Sequence, residues 1–351
     1  MYKNIAVEAA LALDEALLVD VRSENEYLTD TMPGAVNIPL LNNGERAAVG
    51  LAYHKYGPEQ AVKMGLHLVS PKLGEKLSAV DRMACGRKIA VFCWRGGLRS
   101  ELMALLFDTA GYQVYRVAGG YKAYRRYVNE YLGQQKIPLK AVVLHGLTGV
   151  GKTDVLLRLA QLGVPVLDLE GLARHRGSVY GKIGLPPSPS QKAFEGHIVQ
   201  LLKKACNRGF FVVECESRRV GNLIVPPLVM EFIHHGERVL VYTSLENRVK
   251  RIREVYAGGP GSKVIELQKA TSSLVKKLGQ ARVEELNGLL AGNNFDQVIS
   301  YMLKCHYDPL YNYPDSPGAG FDLCVDTGDM ENAVKVVYEF VTGLPLPDLR
   351  Q

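Results

Sequence analysis

Two short stretches of the chain hold residues whose types and spacing suit chemistry on phosphate-bearing substrates. The first is Cys93-Trp94-Arg95-Gly96-Gly97-Leu98-Arg99-Ser100, which follows the apolar run IAVFC and precedes the helical pattern ELMALLF. Successive backbone N–H groups at such a strand-to-helix turn form an anion-binding concavity, and the helix N-terminus adds positive potential that favours the nucleophilic thiolate. Gly96 and Gly97 let the loop curl without a Cβ penalty, while Arg99 can bond two oxygens of a tetrahedral anion. Cys93 and Arg99 are therefore the candidate catalytic pair, with Trp94, Arg95, Gly96, Gly97, Leu98 and Ser100 forming the anion loop around them. By spacing alone, Cys93 is equally well read as a buried residue at a strand end.

The second stretch is Gly146-Leu147-Thr148-Gly149-Val150-Gly151-Lys152-Thr153, a complete G-x-x-x-x-G-K-[ST] motif between an apolar run at 141–144 and the helical run DVLLRLAQL. Backbone N–H groups along Gly146, Thr148, Gly149, Val150 and Gly151 face a diphosphate, Lys152 supplies charge at its far end, and Thr153 can hold Mg²⁺. The motif does not choose between ATP and another diphosphate. Glu214 and Glu216 end a later apolar run, at the place where many phosphate-loop proteins carry a metal-positioning aspartate; as solvated strand-end residues they would need no such role. Asp168, Glu170, Arg174, His175 and Arg176 cluster after another strand end and are candidate substrate- or metal-linked residues. No metal-ligand set is fixed by the sequence. His145 and His197 read as structural histidines.

Strands and helices must position these loops. Apolar or β-branched runs at 17–21, 35–38, 89–92 and 114–117 alternate with helical patterns, which predicts a small α/β domain. A basic amphipathic helix, KAYRRYVNEYLGQQ, closes it near Gly133, so the expected domains are 1–136 and 137–351. Runs at 140–144, 164–167, 210–213 and 239–242 predict a parallel sheet in the second domain. Leucine and valine spacing from about 265 to 303 predicts a helical insertion there, and LPPSPSQ at 185–191 reads as an ordered loop or flap.

The 351 residues suffice for two α/β domains, each with its own core. Lysine and arginine outnumber aspartate and glutamate by 42 to 36, a net charge of +6 that suits polyanionic partners without naming one. Six cysteines with no CxxC pair argue against a disulfide framework or a zinc site. Neither a secretory signal pattern nor an apolar run of membrane-spanning length is visible, so a cytoplasmic protein is expected.

The motifs carry a resemblance. Asp20-Val21-Arg22-Ser23-Glu24-Asn25-Glu26-Tyr27, Met32-Pro33-Gly34-Ala35-Val36-Asn37-Ile38-Pro39 and Val117-Ala118-Gly119-Gly120-Tyr121 flank the cysteine loop in the order seen in a rhodanese domain, which they resemble. Cys93 and Arg99 are six residues apart rather than the usual five, and the longer loop holds a larger anion. That spacing is shared with cysteine-dependent phosphatases. A phosphatase fused to a nucleotide-binding regulatory domain is thus one alternative, and a non-catalytic protein using both loops as anion sensors is another.

Across its whole length the chain resembles the tRNA 2-selenouridine synthase family, a rhodanese-like domain followed by a P-loop domain. Its CWRGGLRS loop, Asp168 to Ser178, Glu214-Cys215-Glu216-Ser217-Arg218 and Tyr307-Asp308-Pro309-Leu310-Tyr311 carry the match; Cys215 stands where the family pattern more often has aspartate. The resemblance implies a transferase acting on the wobble 2-thiouridine of tRNA. Geranyl diphosphate, held by the Lys152 loop, would alkylate the sulfur, and selenium from selenophosphate, held by the Cys93 loop, would then replace the geranylthio group. An intact P-loop that does not consume ATP follows from this, as does an apolar groove for the prenyl chain. Lys122, Arg125 and Arg126 are candidate tRNA contacts, and Trp94, the only tryptophan, is a candidate for stacking on a splayed base.

Overall fold

The computed structural model describes residues 1–257, 263–311 and 313–345. Two compact units emerge, one of Met1–Gly133 with Ser190–His197 and one of Gln134–Pro189 with Ile198–Gln351.

In the first unit Lys3–Ile5 (β1), Leu17–Asp20 (β2), Val36–Asn37 (β3), Ile89–Phe92 (β4) and Val114–Val117 (β5) form a parallel sheet of order β1-β5-β4-β2-β3. The fully buried β4 sits at its centre, so its apolar run lacks polar alternation. β4 feeds directly into the cysteine loop, and helix Leu98–Thr109 buries Met103, Ala104 and Phe107 in the core beside Leu17, Val19, Ile89 and Val91. Each large side chain so buried contributes about 1.5–3 kcal/mol. The loop therefore hangs between two well-anchored elements. β1, only three residues long, leaves no periodic signal and was not anticipated.

The second unit is also built on a parallel sheet, of order β12-β11-β6-β8-β7. Its strands are Lys140–His145 (β6), Val166–Leu167 (β7), Phe210–Glu214 (β8), Glu237–Tyr242 (β11) and Leu323–Asp326 (β12), while Arg219–Val220 (β9) and Leu223–Ile224 (β10) make a small antiparallel pair. The chain leaves central β6 towards β8 and β7 on one side, then returns to β11 and β12 on the other. Ligands of such sheets bind at the carboxyl ends of the strands where the order reverses. Here that place is the end of β6. The expected helical insertion consists of Val264–Ser272, Val275–Leu278, Gln280–Ala291 and Phe295–Met302, closing on its own core of Leu267, Leu274, Leu286, Leu290, Val298 and Met302. No described helix is long and apolar enough to cross a membrane.

Candidate functional site

The cysteine loop is tied to the start of helix Gly120–Leu132 by its own backbone. Cys93 O accepts from Tyr121 N at 2.8 Å, and Trp94 O accepts from Lys122 N at 2.9 Å. Close approach is possible because Gly120 has φ +57° and no side chain: a Cβ there would lie 2.2 Å from Cys93 O and 2.6 Å from Gly96 N. Cys93 is buried, and its thiol reaches Ser100 Oγ at 3.3 Å, a hydroxyl that itself donates to Gly97 O at 2.9 Å. Trp94, Arg95, Gly97 and Leu98 are exposed around the buried sulfur, and Gly96 is half-buried.

Arg99 does not turn towards the loop. Its Nη1 donates to Glu26 Oε2 at 2.7 Å, and Glu26 also caps helix Glu24–Thr29 through Ser23 N. Burial opposes ionisation of Glu26, yet the Arg99 hydrogen bond and charge hold its carboxyl below the usual value. The expectation that Arg99 bonds an anion directly thus requires it to exchange Glu26 for the ligand. Trp94 is only partly available, being packed against Tyr121 with ring centroids 5.6 Å apart. Beneath both rings lies Arg22, fully buried, bonded to Asp20 Oδ2 at 2.7 Å and 4.2 Å from the Tyr121 centroid. Arg125, a sequence candidate for tRNA, is occupied within this unit by Lys192 O at 2.9 Å and by Glu195.

In the second unit the glycine loop follows β6. Gly146 has φ +140°, and a Cβ there would stand 2.1 Å from Val241 O, so the main chain can pass only with glycine. Lys152 Nζ is folded onto the loop, donating to Gly146 O at 2.9 Å and Leu147 O at 3.1 Å. Two arginines of helix Leu245–Ala257, which the sequence did not single out, brace the loop from outside. Buried Arg248 donates to Thr148 O at 2.8 Å and pairs with Asp308 at 2.5 Å. Arg251 donates to Val150 O at 2.8 Å and to Thr327 O at 2.6 Å.

Glu170, Glu214 and Glu216 converge beside this loop, each offering an oxygen within 4.8 Å of the others. Glu214 is 3% exposed at the end of β8, one of its oxygens has no hydrogen-bond partner, and the Thr153 hydroxyl bonds its carboxylate. Burial raises all three carboxyls; the neighbouring Glu214 and Glu216 charges raise Glu170 further, while Lys152 opposes the rise at each. Three crowded carboxylates with an unsatisfied buried oxygen beside a phosphate-loop threonine fit a divalent cation. Asp168 lines the same cavity and also caps helix Leu169–Ala173, accepting from Gly171 N at 2.7 Å. Arg174 Nη1 donates to Pro187 O and Arg176 Nη1 to Ile183 O, both at 3.1 Å, which ties the segment at 174–187 together. Burial, then the charge of Lys182, lowers the His175 imidazole below its ordinary value.

His145, last residue of β6, meets Tyr313 Oη at 3.1 Å, and Tyr313 reaches Cys215 Sγ at 3.3 Å. Burial, then the Arg238 and Lys152 charges, lower the imidazole to about 4, so it is uncharged at neutral pH.

The glycine loop opens into a cavity of about 680 Å³. Its polar end carries Lys152, Thr153, Glu170, Glu214 and Glu216, and Arg174 and Arg176 also line it. Leu267, Leu290, Phe295, Val298 and Met302 of the helical insertion, which pack together, wall its apolar part, with Tyr180, Tyr256, Tyr307 and Tyr311 also lining the space and Ile252 standing against Gly149 of the loop itself. One chamber thus offers a phosphate cradle and an apolar compartment together.

Comparison with known proteins agrees with both halves. Residues 6–127 match the family model of the rhodanese-like domain, and residues 139–340 match that of the tRNA 2-selenouridine synthase AAA domain. The tRNA 2-selenouridine synthase of Azotobacter vinelandii is 32% identical, over 95% of this chain and 96% of its own length. Those of Pseudomonas entomophila and Sulfurovum sp. are 34% and 31% identical, over 88% and 87% of this chain and 90% of each relative. The chain belongs to the tRNA 2-selenouridine synthase family.

Proposed function

We propose that the protein modifies the wobble 2-thiouridine of tRNA in two steps, S-geranylation in the second unit and replacement of the geranylthio group by selenium in the first. The observation that carries this reading is the single cavity joining the Lys152 loop to the apolar wall of Leu267, Leu290, Phe295, Val298 and Met302. An alkyl diphosphate has that distribution of charge and apolar surface, and the volume lies within the usual range for small-molecule sites.

In the first step the diphosphate lies on the loop amides with Lys152 released from Gly146 O and Leu147 O to meet it. Preorganised donors then stabilise the charge that develops on the leaving group. Glu170, Glu214 and Glu216, with Thr153, would hold Mg²⁺, which when bound neutralises charge on the diphosphate. The uridine sulfur gains the geranyl group, diphosphate departs, and the N3 proton is lost. Alkylation makes C2 of the ring electrophilic and turns the sulfur into a leaving group.

In the second step the Cys93 loop receives selenophosphate, its phosphate on the loop N–H groups and Arg99, its selenium beside the cysteine. Selenium bonds to C2, geranylthiolate leaves with the bonding pair, and water takes the phosphoryl group as phosphate. The longer loop between Cys93 and Arg99 accommodates this anion.

The first step is tested alone by incubating the protein with 2-thiouridine tRNA and geranyl diphosphate, without a selenium donor, and weighing the nucleosides. S-geranyl-2-thiouridine with release of diphosphate is the expected product. Unchanged thiouridine together with rapid ATP hydrolysis would overturn the reading.

A further inference from the structure

The cavity has a third zone, between its charged and apolar ends, and it is aromatic. Tyr307 lines it together with Tyr180, Tyr256 and Tyr311. Tyr311 lines the cavity with Glu170 and Glu216, and burial, then the charges of these two carboxylates, raises its phenol. Tyr180, Tyr256 and Tyr307 pack against the apolar cluster of the insertion. Tyr180 and Tyr256 meet edge-on, 6.3 Å apart at 66°. A π-helical turn, Leu303–Tyr307, joins Phe295–Met302 to Asp308–Tyr311, so Tyr307 and Tyr311 enter the cavity from consecutive turns.

This zone coincides with the reacting end of the substrate proposed above. With the diphosphate on the Lys152 loop and the chain in the apolar compartment, the C1–O bond of an allylic diphosphate spans the boundary between them. As that bond lengthens, its electron pair moves to the diphosphate oxygen and positive charge spreads over C1 and C3. The sulfur lone pair then forms the C1–S bond, and the N3 proton is released. A cation within about 6 Å of an aromatic face is stabilised by the ring quadrupole, most strongly where water is excluded. Tyr256 already has the Arg176 guanidinium 5.5 Å from its centroid, whereas the Tyr307 ring meets that of His306 edge-on, with centroids 4.8 Å apart at 69°.

We propose that Tyr307 is a catalytic residue of prenyl transfer, its ring face stabilising the allylic cation formed as the C1–O bond breaks, with Tyr180, Tyr256 and Tyr311 fixing its orientation. The inference rests on the geranylation reading, and the test separates the two. Position 307 is filled in turn by phenylalanine and by mono-, di- and trifluorinated phenylalanines, which weaken the π face stepwise at nearly constant volume. Single-turnover geranyl transfer to 2-thiouridine tRNA is measured, with the Kd of the unreactive thiolodiphosphate analogue of geranyl diphosphate as the ground-state control.

Tyr307→Phe is expected to keep at least about a third of the rate, and the fluorinated series to fall progressively by about tenfold with Kd constant within about threefold. A flat series, a Tyr307→Phe variant as slow as the trifluorinated one, or a loss confined to Kd would overturn the proposal. Absence of geranyl transfer by the wild type would instead overturn the reading on which it rests.

Discussion

Acidification should weaken the second unit most through His145, with His175 and His306 lowered in the same direction. The His145 imidazole has an ordinary value of 6.5 and is lowered to about 4 in the fold by burial and by the Arg238 and Lys152 charges. Between those values the unfolded chain binds a proton that the folded chain refuses, so the contribution is fully present above 6.5 and is lost as pH falls towards 4. The gap corresponds to about 3 kcal/mol when complete, and about 2.5 kcal/mol of it is spent by about pH 4.5. The neighbouring carboxyls shift the other way and stabilise the fold on acidification, so wild type alone is not diagnostic. His145→Leu isolates the effect: it should cost about 1 kcal/mol near neutrality through the lost Tyr313 hydrogen bond and then become the more stable form in acid. Urea unfolding followed by circular dichroism reads both units, while fluorescence of Trp94, the only tryptophan, follows the first. Parallel loss of stability in wild type and His145→Leu from about pH 7.5 to about pH 4.5 would refute a buried neutral imidazole.

The Glu170, Glu214 and Glu216 carboxyls, raised chiefly by burial, contribute stability at low pH that is lost as pH rises through their elevated values. Mg²⁺ should therefore raise the thermal midpoint of wild type more on the alkaline side of neutrality than on the acid side, with the difference gone in Glu214→Gln; equal response at both would count against a cation there. Gly120→Ala forces a Cβ against Cys93 O and should stop selenation while leaving geranylation intact, as read by nucleoside composition. Equal loss of both steps would contradict the division of labour. Arg248→Met strips a buried partner from Asp308 and from the loop carbonyl of Thr148, at a cost of about 3 kcal/mol by chemical denaturation. Asp308→Leu on top should cost less than it does alone, and strict additivity would speak against their pairing.

Both loops were legible because each is contiguous. Strand, glycines and helix lie side by side in the chain, so Cys93 and Lys152 could be placed from local pattern. Parallel strands buried on both faces were equally visible as apolar runs at β4, β6, β8 and β11, and the leucine spacing beyond 265 gave the insertion. What failed to show was anything made by distant partners. Arg248 and Arg251 look like ordinary charges of an amphipathic helix until β11 carries that helix against the loop. Glu26 lies 73 residues from Arg99, and nothing near either residue announces their pairing. Asp168, which lines the cavity as its type suggested, has a second task that the sequence reading left out, capping the helix that follows it. β12 escaped because Leu323–Asp326 is short and only partly buried, its strand character imposed by β11. The tyrosines of the cavity are spread from 180 to 313 and converge only in three dimensions.

Two loops performing two successive reactions can be separated in one assay. Wild type, Cys93→Ala and Lys152→Ala are each given 2-thiouridine tRNA, geranyl diphosphate and selenophosphate, and the nucleosides are identified by mass spectrometry. Selenouridine is expected from wild type, accumulated geranylthiouridine from Cys93→Ala and untouched thiouridine from Lys152→Ala. Selenouridine formed by Lys152→Ala at the wild-type rate, or no geranylthiouridine in Cys93→Ala while wild type turns over, would contradict this division between the loops.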